Sequence, residues 1–267
     1  MSSLPRISVV TVCFNAAEVI EKTIISVVNQ TYENLEYLII DGASKDNTLE
    51  IVEKYRTQIE KCGKIISEPD KGLYDAMNKG VFACSGDYVI MMNADDVFHD
   101  ENVVTDVAQF IHDNPDCDAV FGNTEQIWDY GTFIARPTEA YRNHKMCISP
   151  QATFARTKLM REHPFNLKYR YAADFEQFSS MILEGRRFVH FDRIIATVAM
   201  SSGVTFDNHY ASAAEIYSII ESQGFDVSKE KKKKLRNIKL VGKFRKAMPS
   251  WISRPVMHLI AKLYKPM

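Results

Sequence analysis

The sequence is poor in the features that would take it out of the ordinary globular class. Its five cysteines (Cys13, Cys62, Cys84, Cys117, Cys147) are odd in number, widely spaced and without a CxxC pair. That pattern encodes neither a disulfide framework nor a thiolate metal cluster. Reduced, buried thiols and a cytoplasmic location are expected instead. No run of about 18 apolar residues is present. The first residues lack the charged start, apolar stretch and small-residue cleavage site of a secretory leader. There is no GxxxxGK[ST] and no GxGxxG after the first predicted strand, which argues against a phosphate-loop NTPase and a dinucleotide site. The formal charge of −1 argues against nucleic-acid binding by the protein as a whole.

What is there fits a folded, soluble chain. Hydrophobic residues make up 46% and charged residues 25% of 267 positions, enough for one large or two small domains. The charge is unevenly spread. From Lys229 onward the chain carries 13 basic residues and one acid, Glu230. An acidic body with a basic tail points to two separate tasks.

The first third alternates strand and helix patterns. Ile7–Phe14 is a continuous apolar run rich in β-branched residues, as in a parallel strand buried on both faces. Ala17–Gln30 follows with a helical stripe of Val19, Ile20, Ile24, Val27 and Val28. Leu35–Ile40, Lys64–Ser67, Asp87–Met92 and Ala119–Gly122 read as further strands. Leu49–Ile59, Gly72–Ala83 and Glu101–His112 read as the helices between them. This order predicts βαβ units and a mostly parallel central sheet flanked by helices. Beyond it, Thr124–Arg136 reads as a hairpin, Ala173–Glu184 as a helix, Phe188–Met200 as a strand and Asn208–Ser222 as a helix. From Ser228 two helices are expected, split by Pro249.

In such sheets, ligands bind beyond the carboxyl ends of the strands. Asn15, Asp41 and the run Asn93-Ala94-Asp95-Asp96 stand at three of those ends. Adjacent carboxylates repel, and burying an unpaired one costs several kcal/mol. A divalent cation, Mn²⁺ or Mg²⁺, held by Asp95 and Asp96 and completed by substrate phosphates relieves both problems. A nucleotide diphosphate bound through metal rather than through a glycine-rich loop fits this arrangement.

Four segments, in this order and spacing, resemble glycosyltransferase family 2: ISVVTVCFN (7–15), DGASKDNT (41–48), SEPDKGLYDAMNKG (67–80) and GDYVIMMNADDVF (86–98). The resemblance covers roughly residues 5–205 and is closest to bacterial enzymes of cell-surface polysaccharide synthesis. It implies a GT-A fold, a nucleotide-diphosphate sugar donor (UDP favoured) and transfer with inversion to a glycan or polyprenyl-diphosphate-linked acceptor. It also implies roles. Asp41 would accept a hydrogen bond from the donor base. Val12, Phe14 and Asn15 would line the base and ribose pocket, with Asp70 in its floor. Lys79 would favour phosphate charge or sit as a solvated helix lysine. Asn93, Ala94 and Asp95 would lie along the donor, and Asp96 would be the principal metal ligand with Asp95 beside it. Asp174, in YAADFEQ, would be the base, with Glu176 in reserve, and Gln151 would contact acceptor or diphosphate. His209 would touch metal or phosphate, or be a surface histidine. Trp128, Tyr130 and Tyr141 would stack on sugar or pack. The chain departs from the family at Asn93, where many members have Asp, at Gly42, in place of a second acid, and at Pro150, where relatives often have His. Gly42 reads as a turn residue with its own φ freedom, whereas Asn93 and Pro150 leave an inactive nucleotide-sugar-binding subunit as the alternative reading.

The expected organisation is a catalytic domain at 1–227, with a nucleotide half to about 122 and an acceptor half after it, and a basic tail at 228–267. Basic residues at 231–246 precede Trp251, Ile252, Val256, Leu259 and Ile260. That mixture suits either an anionic membrane surface, giving peripheral attachment on the inner face, or a helical pair packed on the catalytic domain with a solvated basic face.

Overall fold

The computed structural model describes residues 4–129, 131–137, 148–200 and 208–247. Tyr130, Tyr141, Cys147, the segment 201–207 and the apolar stripe from Trp251 lie outside them. Nine strands form one sheet in the order β3-β2-β1-β4-β8-β6-β9-β5, with β7 on β6. The strands are β1 (Ile7–Cys13), β2 (Leu35–Asp41), β3 (Lys64–Ser67), β4 (Tyr88–Met91), β5 (Val97–Phe98), β6 (Ala119–Trp128), β7 (Gly131–Ala135), β8 (Thr153–Arg156) and β9 (Phe188–Ala199). The helices are α1 (Ile20–Val28), α2 (Thr48–Lys54), α3 (Arg56–Glu60), α4 (Leu73–Ala83), α5 (Val103–Asp113), α6 (Thr157–Glu162), α7 (Ala173–Leu183), α8 (His209–Ser222) and α9 (Ser228–Ala247).

The first four strands in the chain pair in parallel. Strand β8 then runs antiparallel to both β4 and β6, while β6 and β9 pair in parallel. Position 122 falls inside β6, so the two expected halves share one sheet. The ladder of β6 and β9 shifts register between Phe121 and Thr124. Gly122 sits at this bulge because a Cβ there would fall 2.7 Å from the Arg193 carbonyl oxygen.

Alternation along the parallel strands sends successive side chains to opposite faces. On β1, Val9 joins the core under α1 and α5, with Ile24, Tyr37 and Val107. Its neighbour Val10 joins the core under α4, α6 and α7, with Leu38, Met77 and Phe178. A fully buried side chain of this size contributes about 1.5–3 kcal/mol. Helix α1 buries Ile20, Thr23, Ile24 and Val27, the i, i+3, i+4, i+7 stripe of its sequence.

One expectation is corrected. The helix predicted over Leu49–Ile59 is two helices that break at Tyr55, whose ring packs on the core and whose hydroxyl donates to Glu21 Oε1 at 3.0 Å. The strand β8 within Ile148–Arg156 spans only four residues and is preceded by a 3₁₀ turn at Pro150–Ala152. Four residues are too few to show a period. No helix among the described residues is long and apolar enough to cross a membrane.

Candidate active site

The parallel register puts Cys13, Asp41 and Ser67 side by side at one edge of the sheet. The β4 exit lies beside them, where the Ala94 N–H donates to the Val12 carbonyl at 3.2 Å. Among the described residues, three without glycine's freedom have positive φ: Asn15 (49°), Ala43 (60°) and Asp95 (94°). They follow β1, β2 and β4. Backbone held in sparsely populated regions costs about 1–3 kcal/mol per residue and clusters at functional sites. Here the strain is confined to one edge.

Side chains weld the loops together. The Asn15 N–H donates to Ser44 Oγ (2.8 Å), and Asn15 Oδ1 accepts from the Lys45 N–H (2.8 Å). Asp46 accepts from the N–H groups of Ala17 (3.1 Å) and Thr48 (3.0 Å). Asp41 is fully buried. It accepts from Ser44 Oγ (2.5 Å), the Ser44 N–H (3.1 Å), Ser67 Oγ (2.6 Å) and the Cys13 thiol (3.7 Å). Burial and the Asp41 charge push the Cys13 thiol up, which keeps it a donor. A carboxylate has about four acceptor sites, and here four donors fill them. These four donors make Asp41 an organiser of the loop that follows β2.

A second carboxylate, Asp70, stands close to Gly42 and Phe14. Phe14 is 59% exposed, unusual for a phenylalanine. A Cβ on Gly42 would lie 3.3 Å from the Phe14 ring and 2.3 Å from Asp70 Oδ2. Asp70 Oδ1 accepts from the Gly72 N–H at 2.7 Å. The space that an acid at position 42 would need is thus taken by Asp70. Gly42→Ala is expected to displace the Asp70 carboxylate and weaken UDP binding about tenfold, roughly 1.4 kcal/mol, with little change in melting temperature. Calorimetric UDP titration against thermal denaturation checks it; unchanged affinity would remove Asp70 from the base site.

Asn93–Asp96 form a turn closed by the Asp96 N–H on the Asn93 carbonyl at 3.1 Å. Asp95 pairs with Lys22, and its N–H donates to Thr23 Oγ1 at 3.0 Å. Asp96 is 8% exposed. Burial pushes its carboxyl up to about 7, with the Asp95 charge adding to it, against hydrogen bonds from Gln151 and Asn93 and the charge of Lys22. Gln151 is held in turn by Ser149, whose hydroxyl donates to its Oε1. Asn93 Oδ1 is buried without a hydrogen-bond partner among the described residues. A costly carboxylate beside an unsatisfied amide oxygen is a donor set that a hard divalent cation fits. No group of three His, Cys, Asp or Glu that could hold a metal occurs among the described residues, so such an ion would need further ligands from the substrate.

Asp174, at the start of α7, accepts from the Tyr74 hydroxyl of α4 at 2.8 Å. Burial pushes its carboxyl above the usual range, against that hydrogen bond and those from the N–H groups of Phe175 and Asp174 itself. Glu176 points elsewhere, into a cleft of about 360 Å³ lined by His163, Asn166, Gln177 and Ser180. Burial raises it too, against the charges of His163 and Lys168. Lys79 is committed to Glu68 (2.8 Å) and to the Pro69 carbonyl (2.7 Å), so it pins the loop that carries Asp70 rather than offering a free charge to phosphate. His209 begins α8, where burial and then the Lys234 charge lower its pKa. Trp128 closes the β6–β7 hairpin opposite Gly131. Lys22, Ser44, Ser67 and Tyr74 were not flagged by any motif as partners of the site carboxylates.

The fold and its loop edge define a class. The structure is similar to Staphylococcus aureus TarS (residues 1–349) in complex with UDP-GlcNAc, with a TM-score of 0.65, 20% identity, and 86% of this chain and 70% of that chain covered. It is also similar to the mannosyltransferase PcManGT from Pyrobaculum calidifontis in complex with GDP-Man and Mn²⁺, with a TM-score of 0.67, 17% identity, and 83% and 65% covered. The architecture is that of GT-A glycosyltransferases. The chain belongs to glycosyl transferase family 2, whose model matches residues 8–174. A PGL/p-HBAD biosynthesis glycosyltransferase of Mycobacterium bovis (strain BCG / Pasteur 1173P2) is 32% identical over 178 residues, covering 64% of this chain and 68% of the relative. An uncharacterized glycosyltransferase of Haemophilus influenzae is 30% identical over 200 residues, covering 68% and 61%.

Proposed function

We propose that this glycosyltransferase moves a sugar, with inversion, from UDP-sugar to a glycan or polyprenyl-diphosphate-linked acceptor in cell-surface polysaccharide synthesis. The observation that carries the reading is the convergence of strained loops from β1, β2 and β4 on Asp95–Asp96 and the unpartnered Asn93 Oδ1. The name of the mycobacterial relative, a PGL/p-HBAD biosynthesis glycosyltransferase, supports sugar transfer in a biosynthetic role.

In this reading the uracil ring stacks on exposed Phe14 and its imide N–H donates to Asp70. Asn15 and the Val12–Ala94 contact shape the pocket wall. Asp96, Asp95 and Asn93 would hold Mn²⁺ or Mg²⁺, which when bound would supply Lewis-acid stabilisation of diphosphate charge. Gln151 orients Asp96. Asp174 takes the proton from the acceptor hydroxyl. The acceptor oxygen bonds to the anomeric carbon from the face opposite the diphosphate, and the breaking carbon–oxygen bond leaves its electron pair on the diphosphate. A carboxylate raised by burial is a better base than an exposed one, and the Tyr74 hydroxyl keeps it aimed.

Residues 1–227 would form the catalytic unit and the remainder the tail. In α9, Leu235 and Ile238 are half-buried while Lys232, Lys233, Lys234, Arg236 and Lys239 are exposed. A cationic solvent face of this kind suits an anionic lipid surface. It would place the enzyme on the inner face of the membrane.

Thermal denaturation with UDP, GDP and dTDP, each with and without Mn²⁺, tests the donor reading. UDP with Mn²⁺ is expected to raise the melting temperature most, since ligand at a hundredfold its Kd stabilises by about 2.7 kcal/mol. In Asp96→Ala the metal-dependent part of that rise should vanish. No shift with any of the three nucleotides would sink the proposal.

A further inference from the structure

Helix α7, which carries Asp174, begins at Ala172 without a side-chain cap. Helix starts leave up to four N–H groups without partners, and the segment leading in is free to swing unless something fixes it. The fixing group comes from another helix. Glu215 of α8 accepts from the Arg170 N–H (Oε1, 3.1 Å) and from the Tyr171 N–H (Oε2, 2.8 Å). Bonds from backbone N–H to a charged acceptor are stronger than neutral ones. The Tyr171 hydroxyl also donates to Asn208 Oδ1 at 3.3 Å. Ala172 and Phe175 pack on Ile219 and Ile220, so one face of α8 grips the chain on both sides of residue 174. Tyr74 reaches Asp174 from α4.

We infer that Glu215 is a positioning residue for Asp174: its two-pronged grip on residues 170–171, just ahead of the helix, anchors the segment leading into α7 and fixes where the carboxylate of Asp174 stands. The inference rests on the reading of Asp174 as the base. Glu215 touches neither donor nor acceptor in this scheme. Its effect reaches the reaction only through the start of α7, so losing it changes turnover and not nucleotide binding.

Glu215→Ala and Glu215→Gln in the full chain test this. The measurements are UDP release from UDP-glucose, UDP-galactose and UDP-N-acetylglucosamine with Mn²⁺, calorimetric UDP binding, and amide hydrogen exchange over residues 170–175. In Glu215→Ala, kcat should fall about tenfold or more while donor KM and UDP affinity stay at the wild-type values. Exchange at Asp174 and Phe175 should quicken. Glu215→Gln retains one acceptor oxygen and should recover part of both effects. In an Asp174→Asn background, Glu215→Ala should cause no further loss, because two groups acting through one step are not additive. UDP affinity falling in step with kcat, full additivity, or unchanged exchange at 174–175 would each overturn the assignment. Wild-type turnover in Asp174→Asn would instead defeat the base reading, and absence of UDP release from all three donors the donor reading. In both cases the exchange measurement still decides whether Glu215 fixes α7.

Discussion

Asp174→Asn is expected to lower turnover by about 10²–10⁴-fold, the usual contribution of a positioned general base. Asparagine preserves the shape of the side chain. Its amide oxygen can still accept from the Tyr74 hydroxyl, now at 2.8 Å, so the wall of the site should not collapse. What it removes is the capacity to take a proton. The affinity for UDP should therefore stay within about twofold of wild type, since an interaction made only on the way to the transition state leaves ground-state binding alone. Steady-state kcat beside calorimetric UDP titration separates the two quantities. Retained turnover would move the base elsewhere, and Glu176 is then the group to replace.

The second large effect is expected at the opposite end of the sheet. Glu36 is 6% exposed at the start of β2. It accepts from Ser8 Oγ (2.6 Å), the Ser85 N–H (2.6 Å) and Ser85 Oγ (2.8 Å), with Arg6 at 3.8 Å. Burial alone would raise its carboxyl, but these donors and the Arg6 charge outweigh it and hold the group below the ordinary glutamate value of 4.5. Glu36→Ala leaves the buried Ser8 hydroxyl without its acceptor and frees Ser85 and Arg6 at the surface, and should destabilise the fold by about 1–3 kcal/mol. Urea unfolding at neutral pH measures it. The sign of the pH dependence follows from the lowered pKa. The contribution is complete above 4.5 and disappears as pH falls through the lower, folded-state value. The gap between wild type and variant should thus be flat from neutral pH downward and close only under acid. A gap that widened in acid would contradict the network's charge state.

The parallel half of the fold was readable because its strands are buried on both faces and its helices carry one apolar stripe. Those periods also place residues at strand ends, which is why Asn15, Asp41 and Asp95–Asp96 could be assigned to one edge. Periodicity does not say which partner a side chain takes. Tyr74 and Asp174 are 100 positions apart, and Ser67 meets Asp41 across 26. Such pairings are set by packing, so the four donors around Asp41 were not legible in its motif. Lys79 read as a phosphate contact or a solvated helix lysine, and its pairing with Glu68 was not legible. Gly42 read as a turn residue, and only the placement of Asp70 explains what fills its space. The strands β5 and β8 escaped because two and four residues carry no detectable alternation.

Strand β8 closes the outer ladder of β4 through Tyr88–Arg156 and Val89–Ala155. A ribosome-bound nascent chain therefore finishes β4 long before the segment that seals it has been synthesised. During that interval the four parallel strands present an apolar, hydrogen-bond-hungry border to any neighbour, the geometry that invites intermolecular strand addition. Shortened forms that stop ahead of residue 153 would keep that border permanently, and inclusion bodies are their natural fate.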